Sequence, residues 1–348
     1  MYFTRTNYRV TGVLANPHIQ SLLASSKLRR RLKFSSYAPL IENQSDVILH
    51  AGEKIRLHGF YSKALFRPLA QNLPASTLNL THPPRSKGKI KKLAILIHGW
   101  EGSADSTYLL SAAGSLYSAG YSVFRLHLRD HGPSAQLNEA LFHAARLEEV
   151  ALAIQDIQHR FDYDEYFLVG FSLGANFALR VGMQAERYGL DFQHIVAISP
   201  VLCPASTMKA LTDGPFIYRK YFLKKWRKAL KQKEQLFPEL YDFGELAQST
   251  NLSAMTEHLV RVHTDFENVT DYFNSYTLTQ DQLEKISIKT DLVLAEDDPV
   301  IPIDSSSGLS SSEHLRLRVF KHGGHCGFIK NWRGDSWVDR ELLSLFSL

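Results

Sequence analysis

The sequence has only two cysteines, Cys203 and Cys326, in 348 residues. That excludes a disulfide-stapled scaffold and makes a reducing compartment the expectation. No uninterrupted apolar run approaches the ~18 residues of a spanning helix, so a transmembrane segment is not expected. Met1 to Val10 lacks the apolar centre of a secretory signal, and a soluble cytoplasmic chain is the expectation. Repeats and low-complexity tracts are missing, which removes solenoid architectures from consideration. Hydrophobic residues make up 44% and charged residues 22%, a balance that excludes disorder as the main state. The length suits one large α/β unit with an insertion.

An excess of charge is present, but only locally. The chain is formally +5, with 40 Lys+Arg against 35 Asp+Glu. Residues 217–234 alone hold eight bases and one acid, Glu234. Elsewhere the acids slightly outnumber the bases. At ~100° per residue, Lys220, Lys224, Arg227, Lys228 and Lys231 share one face of a helix. Tyr218, Phe222, Trp226, Ala229 and Leu230 share the other. The simpler reading is a helix packed through its aromatic face, with its lysines in water. The sharper one is contact with anionic lipid, or steering of acidic substrates. Nucleic acid is not expected, because the aromatics lie opposite the bases and no binding motif is present.

From residue 93 the pattern becomes regular. Leu93–Ile97 is a continuous apolar run, as in a strand buried on both faces of a parallel sheet. Strands are also expected at 121–128, 166–169, 194–199, 291–295 and 315–320. Helices are expected at 106–119, 138–160, 173–187, near 304–312, and at 335–347. Strand alternating with helix predicts an α/β architecture, a mostly parallel twisted sheet with helices on both faces. The alternation lapses at 201–289, which reads as an inserted helical cap. The expected core is 1–200 with 290–348, including an N-terminal extension over 1–45. Residues 46–90 read as short strands and turns, with an exposed connection around Pro83-Pro84.

Gly170-Phe171-Ser172-Leu173-Gly174 carries the sharpest chemical signal. It is a G-x-S-x-G pentapeptide between an expected strand and an expected helix, the context of a nucleophile elbow. The bland alternative is a structural serine turn. A serine hydroxyl needs a base, and His325 in Gly323-Gly324-His325-Cys326-Gly327 is the candidate, because the order Ser, acid, His fits. For His98, His131, His143 and His159 a surface or capping role is preferred. The acid is Asp298, with Asp297 as its rival. Backbone amides of Trp100 and Leu173 are the candidate oxyanion donors. Glu101 reads as a loop-packing residue. No metal or cofactor is expected.

These motifs bear a family resemblance. Asn16-Pro17-His18-Ile19-Gln20-Ser21-Leu22, His98-Gly99-Trp100-Glu101-Gly102-Ser103, Arg129-Asp130-His131-Gly132-Pro133-Ser134, Gly170 to Asn176 and Gly323 to Phe328 resemble the YheT-like branch of the α/β-hydrolases. That branch is related to plant and animal medium-chain acyl esterases. The resemblance runs from about residue 12 to residue 330. It implies the α/β-hydrolase fold, a triad on Ser172, Asp298 and His325, and metal-free ester hydrolysis. It departs at Asp130, where relatives more often carry glycine. The resulting expectation is a serine hydrolase of short- to medium-chain acyl esters. The alternatives are a lipid-active acyl hydrolase or acyltransferase on the same serine, and a non-catalytic scaffold. Oligomeric state is open.

Overall fold

The computed structural model describes residues 8–64 and 90–347. Residues 1–7 and the connection expected around Pro83-Pro84 lie outside them. Three short helices come first: α1 (Pro17–Ser25), α2 (Lys27–Leu32) and α3 (Phe34–Glu42). Asn16 starts α1 as its N-cap, its side chain accepting from the His18 and Ile19 amides. A hairpin of β1 (Gln44–His50) and β2 (Arg56–Ser62) follows, then β3 (Lys92–Ile97), α4 (Thr107–Ser118), β4 (Ser122–Leu126), α5 (Leu147–Arg160), β5 (Glu165–Phe171), α6 (Leu173–Met183) and β6 (His194–Ile198). The chain then leaves the sheet through α7 (Pro204–Asp213), α8 (Phe216–Leu236), α9 (Leu252–His263), α10 (Val269–Asn274) and α11 (Gln280–Leu283). It returns in β7 (Thr290–Ala295) and β8 (Leu315–Phe320) and ends with α12 (Trp337–Leu345).

The eight strands form one sheet in the order β1-β2-β4-β3-β5-β6-β7-β8. β1 and β2 are antiparallel to their neighbours, and the others run parallel. The apolar runs are explained by burial on both faces. Leu93, Ile95 and Ile97 pack with Ile154, Ile157, Phe177 and Val181 of α5 and α6. Ala94 and Leu96 face Tyr37, Leu109, Leu116 and Leu342 on the other side. Truncating one such leucine to alanine costs about 3 kcal/mol. Among the described residues no helix is long and apolar enough to cross a membrane.

Two expected helices differ. The helix expected over 138–160 begins only at Leu147. Polar side chains claim the backbone ahead of it. The Phe142 amide donates to Asp130 Oδ2 at 2.8 Å, and the Ala140 carbonyl accepts from Arg129 at 3.1 Å. Near 304–312 only a 3₁₀ turn forms, Ile303–Ser306. Ser305 and Ser306 donate back to the Pro302 and Ile303 carbonyls, the local competition that makes serine a poor helix former.

The basic segment is the long helix α8, and its charges are not all in water. Lys233 is 1% exposed. Its Nζ donates to Asp130 Oδ1 at 2.8 Å and to the Asn138 carbonyl at 2.5 Å. Burial pushes the Asp130 carboxyl up and the Lys233 ammonium down, and their pairing opposes both shifts. Asp130 also takes a φ of 59°, a left-handed value that glycine adopts most readily. The ion pair ties α8 to the loop after β4. Lys233→Met leaves Asp130 buried and unpaired, and urea unfolding should show a loss of about 3 kcal/mol. Adding Asp130→Gly should restore most of it. Additive losses in the double variant would contradict this pairing.

Candidate active site

Strand ends deliver the candidate residues to one edge of the sheet. Ser172 follows β5, Asp298 lies beyond β7 and His325 beyond β8. Ser172 alone makes the turn into α6, with φ 54° and ψ −118°, a region L residues rarely adopt. Its two flanking glycines allow the crossing. A Cβ on Gly170 would collide with the Gly174 carbonyl, and one on Gly174 with the carbonyls of Ile97 and His98. The Ser172 amide donates to the Ile198 carbonyl at 2.9 Å, which pins the turn to β6.

His325 Nε2 lies 2.9 Å from Ser172 Oγ, and its Nδ1 lies 2.9 Å from Asp298 Oδ2. The Val300 and Ile301 amides donate to Asp298 Oδ1 at 2.8 and 2.9 Å, so this carboxylate is oriented on both oxygens. Asp297 does not reach His325. Its Oδ1 accepts from the Gly324 amide at 2.9 Å, and its Oδ2 sits 3.1 Å from His322 Nδ1. It thereby holds the backbone next to His325. Burial acts to lower the His325 pKa. The Asp298 carboxylate, with Cys326 beside it, outweighs burial and holds the ring well above its ordinary value.

The candidate oxyanion donors flank Ser172. Leu173 opens α6, whose first amides have no partner within the helix. Trp100 lies just beyond β3, and a Cβ on the preceding Gly99 would sit 2.9 Å from Ser172 Cβ. Among the described residues neither the Trp100 nor the Leu173 amide donates to a protein acceptor.

Three histidines need correction. His98 and His131 are buried, and His143 is half-buried with its Nδ1 enclosed, so none is a surface residue. His98 Nε2 accepts from the Leu128 amide at 3.2 Å, and His131 Nε2 accepts from the Glu101 amide at 3.1 Å. Burial holds both rings well below the ordinary histidine pKa, His131 at about 4. His131 holds the Gly99–Gly102 turn as a neutral acceptor, and His98 holds it by donating from Nδ1 to the Gly99 carbonyl at 2.7 Å, so both brace the turn that carries the Trp100 amide. His159 is exposed, as a surface residue should be.

The N-terminal motif supplies residues the sequence reading left without a role. Ser21 Oγ accepts from the His325 amide at 2.8 Å and donates to the Pro17 carbonyl at 2.7 Å. The buried Gln20 side chain donates to the Leu14 and Ile329 carbonyls and accepts from the Ile329 amide. A Cβ on Gly324 would lie 2.5 Å from the Pro17 carbonyl, and one on Gly327 2.8 Å from that of Gln20. The glycines around His325 thus let α1 clamp its loop. Their pairing with Asn-Pro-His-x-Gln-Ser was visible only as co-occurring motifs.

Two cavities lie near the serine. One, of about 380 Å³, is lined by Gly99, Trp100, Ser172, Tyr218, Phe222 and His325 among others. The second, of about 140 Å³, lies beyond Leu173 and is lined mainly by apolar residues such as Phe142, Leu211, Trp226 and Tyr276. Trp100 lines both. Its ring stacks on Phe222 at 5.0 Å and meets Trp226 edge-on at 5.1 Å. Glu101 also lines the second cavity, where burial raises its pKa to about 7. Among the described residues no group of three or more His, Cys, Asp or Glu is arranged to hold a metal ion.

Comparison with known proteins adds ancestry to this geometry. Residues 94–333 match the family described as "Alpha/beta hydrolase family". The chain is 23% identical over 325 residues to "Putative esterase YheT" of Escherichia coli (strain K12), covering 90% of this chain and 85% of that one. Its fold is similar to that of a serine hydrolase from Cycloclasticus zankles, with a TM-score of 0.55 and 14% identity over 87% of this chain and 98% of the other. It is equally similar to a membrane phospholipase A, with a TM-score of 0.55 and 14% identity over 95% and 94% of the two chains.

The ring environment of His325 can be titrated directly. NMR of ¹⁵N-histidine-labelled protein should place its pKa above 6.5. Asp298→Asn should bring it down, because the raising carboxylate charge is removed. Asp297→Asn should leave it nearly unmoved. The reverse ranking would make Asp297 the partner.

Proposed function

The chain belongs to the alpha/beta hydrolase family, and from that premise we propose that it is a carboxylic ester hydrolase working through Ser172. One observation carries the reading. Ser172 Oγ, His325 and Asp298 form an unbroken hydrogen-bonded chain with both links at 2.9 Å, at the wall of a largely apolar cavity. The similarity to a protein named as an esterase supports the same reaction class.

In the proposed reaction His325 Nε2 takes the Ser172 proton as Oγ attacks the ester carbonyl carbon. The Asp298 carboxylate accepts from Nδ1–H, fixes the tautomer and offsets the imidazolium charge. The Trp100 and Leu173 amides donate to the oxyanion. The tetrahedral intermediate collapses, and His325 gives its proton to the departing alcohol. Water then repeats the sequence on the acyl-enzyme and releases the acid. The five helices between β6 and β7 act as the cap. Through Trp226 and Leu211 they wall the second cavity, which suits a short- to medium-length acyl chain.

The fluorophosphonate reaction tests the nucleophile. Such a probe should label the wild type, and Ser172→Ala should abolish labelling and lower kcat by at least about 10⁴-fold. Labelling that survives this change would reject Ser172.

The pH dependence follows from the sign of the His325 shift. Protonated His325 cannot accept the serine proton, so kcat/KM should rise with pH, with a midpoint above 6.5. Asp298→Asn should lower kcat by about 10⁴-fold. A flat profile from about pH 5 to 8 would count against His325 as the base. With p-nitrophenyl esters of increasing length, a short-to-medium optimum is expected. Trp226→Ala should move it to longer chains.

A further inference from the structure

Several long stretches of the chain contain no carboxylate, and two of them flank the candidate site. Residues 8–41 carry six bases and residues 214–233 carry eight, with no Asp or Glu in either. The whole chain is only +5, so the remainder is net acidic. The fold brings these two stretches together. Leu22 and Ser25 of α1 and Ile217 and Tyr221 of α8 line the same cavity as Ser172. His18 Nδ1 lies 2.9 Å from the Tyr218 hydroxyl and clips the two helices across it.

About half of these bases are already engaged. Arg29 is buried against Asp339, and Lys33 pairs with Asp335. Arg219, Lys225 and Arg227 donate to the backbone carbonyls of Thr212, Glu101 and Ser249, and Lys233 is tied to Asp130. On α8, Lys220, Lys224, Lys228 and Lys231 are left. They are exposed, and among the described residues none has a carboxylate within ion-pair distance. Their spacing of four, four and three puts them in one stripe.

Apolar side chains share that face. Phe216 is 64% exposed, Ile217 41%, Tyr221 44% and Leu22 46%. At ~100° per residue, Phe216, Ile217 and Tyr221 fall with the four lysines inside an arc of about 140°. Leu22, Ile217 and Tyr221 line the Ser172 cavity, and Phe216 lines the adjoining groove with the four lysines. A nucleic-acid backbone would use the bases and leave the apolar rim without a partner. A lipid surface uses both, with ammonium groups at the phosphates and apolar side chains below them.

We propose that this face docks on a lipid surface bearing anionic headgroups. Lys220, Lys224, Lys228 and Lys231 lie over the phosphates, and Phe216, Ile217, Tyr221 and Leu22 enter the interface. The mouth of the Ser172 cavity then opens onto the membrane, and substrate esters partition into it from the lipid. That last step rests on the hydrolase reading, whereas the docking does not.

Vesicle co-sedimentation of the full chain carrying Ser172→Ala separates the two, since this protein binds without turnover. Phosphatidylcholine vesicles are compared with vesicles in which about a third of the lipid is phosphatidylserine. Binding to the anionic vesicles should be at least about ten-fold tighter and should collapse at high salt. The quadruple change of Lys220, Lys224, Lys228 and Lys231 to glutamine should weaken it by at least about 100-fold, with an unaltered unfolding midpoint. Ile217→Ser with Tyr221→Ser should weaken it while keeping the salt dependence. Equal binding to both vesicles, binding to neither, or tighter binding to heparin than to anionic vesicles would overturn the proposal. None of these outcomes bears on fluorophosphonate labelling of Ser172, so the two readings fail separately.

Discussion

The steric fit between β5 and α6 is the constraint on which the rest of the site depends. No side chain larger than hydrogen fits at Gly170 or Gly174, and that absence of bulk lets the helix start directly above the strand. Ser172 is left at the apex in a backbone conformation of positive φ. Such strain costs about 1–3 kcal/mol. It persists because β6 holds the Ser172 amide and the neighbouring strands pack both faces of the sheet. The turn also presents the Leu173 amide and leaves Gly99 against Ser172 Cβ. One local geometry thus positions the hydroxyl, one amide donor and the approach of the β3 loop.

Around that apex the fold adds two restraints from distant parts of the chain. α1 holds the His325 loop through Ser21 and Gln20. α8 is anchored through Lys233 to Asp130, which sits at a positive φ. The second restraint accounts for the aspartate. A carboxylate at a backbone conformation suited to glycine is tolerated because a buried ammonium and the Phe142 amide both meet it. The same helix carries Phe222 and Trp226, which meet the Trp100 ring beside the candidate site.

The strands were legible because their burial is two-sided. Leu93–Ile97 and His194–Ile198 leave no alternation to misread. Ser172 and its elbow were legible because strand, glycines and helix are contiguous in sequence. Asp298 was chosen there with Asp297 kept as its rival, since adjacent side chains differ only in which loop atoms they meet. Residues 138–146 carry helical spacing, yet Asp130 and Arg129 take their backbone groups. Sequence offers no sign of such acceptors. The charge of α8 was overcounted as solvated for the same reason, because Lys225, Arg227 and Lys233 end on backbone carbonyls or a buried carboxylate. His98 and His131 show the same error in uncharged groups. A histidine that accepts an amide hydrogen bond in the core has the same sequence signature as one on the surface.

The clamp from Gln20 to Ile329 spans 309 residues of chain. Contacts between such distant segments close the largest loops, and their entropy cost is met only once the intervening structure is in place. The placing of His325 thus leans on a contact between the two ends of the chain, and a change in the first helix reaches His325 through the Ser21 hydroxyl.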